Sequence, residues 1–392
     1  MKQNHFDVII VGGGVIGCAA ATYLLRYDPA VQVAIIEKDP TYKYASTPLS
    51  DGNTRLQFNV KENIQISQYG LEVLANFAEE MAVDGRTPDP AFRQEGNLFL
   101  VDEHGEADAK RGLAQQQALG CEVYWLEQAE LPGRYPLLEP SAFVGGTYGP
   151  LDGTMDPWAV LLAYKNKAVA LGAHYLQGEV TAVTHENDQV TGVMLVNGDS
   201  LRAPYVINAA GAWAAALAKS VGVHLPIDPV MRQVFVVETA VQPETILPAL
   251  FFPSGLYLVH ERAGHFMIGK SFPDDPIGFD FRWNRQLFEE RIWPELVDHI
   301  PAFDRLKVTR GWAGLYAVNT FDGNVILGEW PELRGFLLAN GYSGHGFQQC
   351  HAVGRYLAES VLGLPHALDL SVFSPERLFT NRRVLEGASK IV

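Results

Sequence analysis

The chain has 392 residues, 47% of them hydrophobic, with three cysteines and a formal net charge of −15. That length exceeds one ordinary core and points to two domains, and the apolar content argues against extended disorder. The acidic balance opposes nucleic acid or an anionic membrane as a general partner.

Phe6-Asp7-Val8-Ile9-Ile10-Val11 is long enough for one buried strand. Gly12-Gly13-Gly14-Val15-Ile16-Gly17 follows, and 18–26 reads as a helix rich in small residues. A second β-branched run, 31–36, ends on Glu37, twenty residues past Gly17. Strand, glycine turn, helix, strand and acid together form the dinucleotide-binding pattern in its required context. Gly12 permits the tight turn, Gly14 a close approach of the backbone to a pyrophosphate, and Gly17 close packing of helix on sheet. The helix start offers free N–H groups to phosphate, and Glu37 can accept from a ribose hydroxyl. The run ending at Cys18 imitates a lipoprotein signal, but Asp7 interrupts it and cleavage would sever the helix from its strand. Three consecutive glycines also argue against a membrane span there.

The stretch 44–55 is too polar and too rich in turn formers for a strand, and it falls where a cofactor's far half would lie. An amphipathic helix is expected over 63–81, a strand over 97–101 and a helix over 107–119. Asp156-Pro157 is a good helix start, and 175–183 reads as one strand. A hairpin crosses Asn197-Gly198. Then 205–213 repeats the strand-to-glycine logic and returns the chain to the nucleotide sheet. Strands around 234–237, 255–259 and 265–269 suggest an antiparallel sheet, followed by a helix over 283–299. A buried strand at 336–340 leads through Gly341-Tyr342-Ser343-Gly344-His345-Gly346-Phe347 into a helix reaching Leu362. Cys18, Cys121 and Cys350 have no metal or disulfide spacing and read as buried thiols of a cytoplasmic protein. The histidines show no ligand pattern, so no metal is expected.

These pieces resemble the flavoprotein family of D-amino-acid oxidase, glycine oxidase and monomeric sarcosine oxidase. The likeness rests on the 12–37 pattern, the 46–55 loop, Asn208-Ala209-Ala210-Gly211-Ala212-Trp213, Trp312-Ala313-Gly314 and 341–346. Ala45-Ser46-Thr47, Leu49-Ser50 and Ala313-Gly314-Leu315-Tyr316 with 319–322 also resemble the subgroup of FAD-dependent oxidoreductase-domain proteins that includes a mitochondrial complex I assembly factor. The resemblance implies an α/β fold: a Rossmann-like FAD domain with a parallel sheet, over 1–85, 151–221 and 312–392. It is joined by an α+β substrate domain with an antiparallel sheet, over 86–150 and 222–311. FAD contacts would come from Gly12, Gly14, Val15, Ile16, Gly17, Glu37, Lys38, Ser46, Thr47, Asn53, Thr54 and Val180. Further contacts would come from Ala210, Gly211, Trp213, Gly341, Gly344, His345, Gly346, Phe347 and Gln348. The helix after Gly346 would point its positive end at the flavin.

Departures from the family pattern shape the rest. Gly314 stands where sarcosine oxidases carry the flavin-linking cysteine, so the FAD is expected to be non-covalent. Phe58 and Gln348 replace that family's carboxylate-binding pair, Tyr316 replaces the arginine of D-amino-acid-oxidising relatives, and Met267 replaces the oxygen-activating lysine, with Lys270 nearby. Arg55, Arg232, Tyr257, Tyr316, His345 and Gln348 remain as candidates for substrate contact and catalysis. The leading expectation is oxidation of the C–N bond of an amine or amino acid by hydride transfer to flavin N5. The electrons would pass to oxygen, a quinone or a partner protein. The alternatives are 2-hydroxy-acid oxidation, with His345 as base, and an assembly flavoprotein whose FAD is structural.

Overall fold

The computed structural model describes residues 4–387; residues 1–3 and 388–392, the ends of the expected nucleotide domain, lie outside them. The first apolar run forms strand β1, Val8–Val11, with all four residues buried. Burial on both faces is what a continuous apolar strand in a parallel sheet requires. Helix α1, Val15–Tyr27, follows, and β2, Val33–Glu37, pairs parallel to β1. The sheet gains β3, His174–Gln177, β4, Tyr205–Asn208, β5, Ile326–Glu329, and β6, Phe336–Asn340. Their order is β5-β6-β4-β1-β2-β3, and only β5 runs antiparallel to its neighbour. The glycine turns after β1, β4 and β6 therefore meet at one rim. Such carboxyl ends, at the point where strand order reverses, are where open α/β sheets bind ligands. Beneath that rim the small residues of α1 admit the long last helix, α2, Gly346–Leu362: a Cβ on Gly354 would stand 2.7 Å from the Ala19 Cβ.

A second sheet has eight strands, in the order Leu306–Asn319, Ile227–Thr239, His265–Lys270, Leu256–Arg262, Ala249–Phe251, Asn97–Val101, Gly145–Gly149 and Tyr124–Glu127. Its neighbours are antiparallel except Ala249–Phe251 with Asn97–Val101. One face buries Phe235, Phe266 and Ile268 against Phe288, Ile292 and Leu296. The other carries Phe99, Phe251 and Val259, with Tyr257 and Met267 packed beside them.

Several elements differ from the sequence reading. The single strand expected over 175–183 is two: β3 and Val180–Glu186, which belongs to a separate three-stranded sheet. The chain changes sheets at 178–179, a break hidden by the β-branched residues beyond it. Asn53–Thr54 is a short strand, stabilised by pairing with Gly153–Thr154. The expected 63–81 helix runs Lys61–Ala75, breaks at Asn76 and resumes over Phe77–Glu80. The 283–299 helix widens into a π-type stretch, Phe288–Ile292, just before Pro294. Strand Leu306–Asn319 passes the expected 311/312 boundary unbroken, and Ser343 N–H donates to Ala317 O at 3.0 Å beyond it. The three cysteines are buried free thiols.

Candidate active site

A cavity of about 390 Å³ opens along the rim, within the range of small-molecule sites. Gly12, Gly14, Val15 and Ile16 line it after β1, and Glu37 and Lys38 after β2. Ser46 and Thr47 line it from the polar loop, Val180 from the strand exchange, and Ala210, Gly211 and Trp213 from the turn after β4. Gly344, Gly346 and Phe347 bring in the start of α2.

Local geometry explains these residue types. Gly12 has φ +106°, and a Cβ there would stand 2.3 Å from Ala209 O, so both conformation and contact demand glycine. Gly14 has ordinary extended backbone (φ −68°, ψ −176°), and its added Cβ would meet only Thr47 Oγ1, at 3.5 Å. Its open face is toward the cavity. No side chain of Gly14 caps α1, and Val15 N–H reaches Thr47 Oγ1 at 3.3 Å. Glu37 holds the turn from below, accepting from Gly13 N–H and Asp39 N–H, each at 2.9 Å. A carboxylate has further acceptor sites for a ribose hydroxyl. Lys38 Nζ stands 3.2 Å from the Trp213 ring centroid, a cation–π contact on the same wall.

A smaller inner lobe of about 50 Å³ is lined by Asn53, Arg55, Phe251, His345 and Gln348. Ser50, Asp51, Tyr257, Tyr316, Gly344 and Phe347 line both spaces. Arg55 is held by its backbone N–H on Gln348 Oε1 at 2.9 Å. Its guanidinium lies 4.7, 5.3 and 5.9 Å from the ring centroids of Phe58, Phe99 and Phe251. Burial pulls its pKa down, while Glu386, Asp152 and Asp51 push the other way, and a guanidinium starting so high stays charged. Arg55 Nη2 is 3.0 Å from His345 Nε2. Because a guanidinium can only donate, Nε2 accepts, the ring proton sits on Nδ1, and His345 is neutral. Phe58 meets the same imidazole edge-on at 5.2 Å.

Arg232 lines the larger lobe, with its charge already matched: Nη1 is 2.5 Å from Asp275 Oδ2, and its guanidinium lies 5.5 Å from the Tyr316 ring centroid. Burial raises the phenols, Tyr257 well above its usual value and Tyr316 to about 12, so both stay protonated at neutral pH. Met267 pairs with Val259 and lies on the Tyr257 face of the sheet. Lys270 lies on the opposite face, ion-paired with Glu295. Its side chain points away from the cavity, as strand alternation requires for a three-residue offset.

Three expected cofactor residues stand back from the cavity. Gly17 lets α1 pack on the turn, since a Cβ there would be 2.0 Å from Gly12 O. Thr54 is buried in the short pairing with Gly153. Gly341, at φ +75°, faces Asn319. Conversely, the sequence reading passed over Asp51, concealed among turn formers. It also passed over Gly13, whose Cβ would sit 2.6 Å from Tyr175 Oη. Arg55 and His345 are 290 residues apart in the chain, so local patterning carries no sign of their bond.

A Rossmann-type glycine turn, a cavity along its rim and a charged lobe beside an antiparallel sheet fit a dinucleotide-dependent oxidoreductase. Residues 7–360 match the family described as DAO, FAD dependent oxidoreductase, and the chain belongs to it. It is 34% identical to FAD-dependent oxidoreductase domain-containing protein 1 of Xenopus laevis, over 98% of this chain and 85% of that protein. Among solved structures, L-proline dehydrogenase from P. horikoshii superposes with a TM-score of 0.86 at 27% identity, covering 97% of this chain and 100% of that one. Glycine oxidase from Geobacillus kaustophilus gives 0.82 at 26%, covering 95% and 98%. The open face at Gly14, the start of α1 with no N-cap side chain and the acid at Glu37 fit FAD. Among the described residues, no helix is long and apolar enough to cross a membrane, and no group of three or more His, Cys, Asp or Glu could hold a metal ion.

Proposed function

We propose that the chain oxidises the C–N bond of an amine or amino acid with non-covalently bound FAD. The observation that carries this reading is the continuity of the cavity from Glu37, past Gly14, to an inner lobe holding one carboxylate, one guanidinium and two phenols. Bound FAD would supply the acceptor for the hydride of the substrate's α-carbon. Gly14 and the start of α1 would hold its phosphates and Glu37 its ribose. The chain's own tasks are orientation by Tyr257 and Tyr316, exclusion of water by Phe251 and Phe347, and a fixed positive charge from Arg55. Hydroxy-acid oxidation with His345 as its base is disfavoured, because His345 Nε2 is occupied by Arg55. The glycine and L-proline enzymes similar to this chain also point to amine nitrogen as the reacting group.

Anaerobic mixing with panels of amines, amino acids and 2-hydroxy acids tests the reading: the flavin should bleach with members of the first two panels. Bleaching by hydroxy acids alone would sink it. Gly314 faces the cavity without a thiol, and no cysteine lines that space. Acid denaturation should therefore leave all the FAD in the supernatant, whereas flavin pelleting with protein would refute non-covalent attachment.

We also infer that electrons pass to a quinone, dye or partner protein more readily than to oxygen. Met267 offers no charge on the cavity face, and Lys270 is committed to Glu295 behind the sheet. Reduced protein should reoxidise slowly in air, and Met267→Lys should speed that step by about tenfold or more through electrostatic stabilisation of the anion formed from oxygen. Stopped-flow absorbance decides it; rapid reoxidation of the unaltered protein would mean that Arg55 already does this work.

A further inference from the structure

We propose that Asp51 anchors the substrate's ammonium group and takes up its proton. The inference rests on the amine-oxidation reading and names the first group that reading must recognise.

Asp51 lines both the larger cavity and the inner lobe, at their junction. Of the residues lining the inner lobe it is the one carboxylate. Its Oδ1 accepts from Asn53 N–H at 3.3 Å, and the carboxylate is bonded as well by the Ser50 side chain and by its own backbone N–H; two carboxylate oxygens offer about four acceptor positions in all. Facing it are Arg55, Tyr257 and Tyr316, with Ser50 and His345 on the same walls. The aromatic faces of Tyr257 and Phe251 suit an ammonium as well as a methylene.

Elimination points the same way. His345 accepts from Arg55 and has its ring proton on the other nitrogen. Tyr257 and Tyr316 are phenols made still weaker acids by burial, so neither is ionised to receive a proton near neutrality. Asp275 is tied to Arg232 and to Phe272 N–H. Burial raises the Asp51 carboxyl above its ordinary value, which brings its proton affinity closer to that of an amine, while Arg55 restrains the rise. In the transfer, one N–H bond of the ammonium breaks and an O–H bond forms on Asp51. The nitrogen keeps the electron pair, leaving the neutral amine from which hydride loss is feasible. The ring proton of His345 and the Arg55 guanidinium keep their places. The expected substrates are therefore primary or secondary amines that arrive protonated.

The test uses the flavin-loaded full chain and two isosteric probes of opposite charge. Tert-butylammonium has no hydrogen on the carbon bearing nitrogen, so it cannot be oxidised to an imine; pivalate has the same shape with a carboxylate. By titration calorimetry the unaltered protein should bind tert-butylammonium, and Asp51→Asn should weaken that binding at least tenfold. Pivalate binding should be unchanged or tighter in the variant. Asp51→Ser supplies a second charge-free variant, and visible absorbance confirms that each still holds FAD. Equal affinity of parent and both variants for the ammonium ion would overturn the proposal, as would a parent that fails to bind it. Failure of the amine-oxidation reading looks different: tert-butylammonium binds through Asp51, yet no amine bleaches the flavin.

Discussion

Protein carrying leucine in place of Gly14 should purify folded and colourless. Gly14 sits in ordinary extended backbone, and an added Cβ would meet only Thr47 Oγ1 at 3.5 Å, so the chain itself tolerates a side chain there. What the leucine would occupy is the space before the start of α1, where the proposed FAD site has its pyrophosphate. The clash should lower FAD affinity by about a hundredfold or more, on the order of 3 kcal/mol. Gly12→Ala and Gly17→Ala make the contrast. At these positions a Cβ would stand 2.3 Å and 2.0 Å from backbone oxygens, so the expected damage is to folding itself. Circular dichroism and thermal melts, alongside FAD content, separate the two outcomes. A fully yellow Gly14→Leu protein would show that the phosphates lie elsewhere.

Arg55→Met should leave FAD bound and slow its reduction by substrate by about a hundredfold, the usual scale for loss of one preorganised charge. Methionine is flexible enough to fill the space between Phe58, Phe99 and Phe251, so the packing survives while the charge goes. The substitution also acts on Asp51. Arg55 holds the Asp51 carboxyl down, so its removal should let that group rise further. Any rate that needs ionised Asp51 should then reach its plateau at higher pH than in the parent. The same change releases His345 Nε2, which no longer accepts from a cation. A reduction rate and pH profile identical to the parent's would remove Arg55 from the working site.

The nucleotide turn is legible because its causes are local. An apolar run makes β1, Gly12 and Gly17 are required by φ or by contact, and an acid ends β2. The antiparallel strands are legible for the same reason, through β-branched runs between turns. What stays hidden depends on partners remote in the chain. Asn53–Thr54 becomes a strand only because Gly153–Thr154 lies alongside. The exchange of sheets at 178–179 follows from which neighbours β3 and Val180–Glu186 find, although their residues read as one strand. Asp51 looks like a turn former until Tyr257 and Tyr316 arrive to enclose it. His345 looks like a free base until Arg55 meets it. For Lys270, the side of the sheet decides its role, and Glu295 makes the choice visible.

The pairing of Ile227–Thr239 with Leu306–Asn319 has a mechanical meaning. Thirteen matched positions join the two strands, with Arg232 opposite Gly314 and Val230 opposite Tyr316. One end of this girder lies over the Phe288 core, and the other is bolted to the turn at 341–346 by Ser343. The wall that presents Arg232 and Tyr316 and the turn that presents Gly344 must therefore move as one piece. A jaw-like swing about 311/312 would have to tear the ladder. Traffic in and out of the inner lobe is left to side chains and loops at the rim, and crosslinks along the girder should leave turnover untouched.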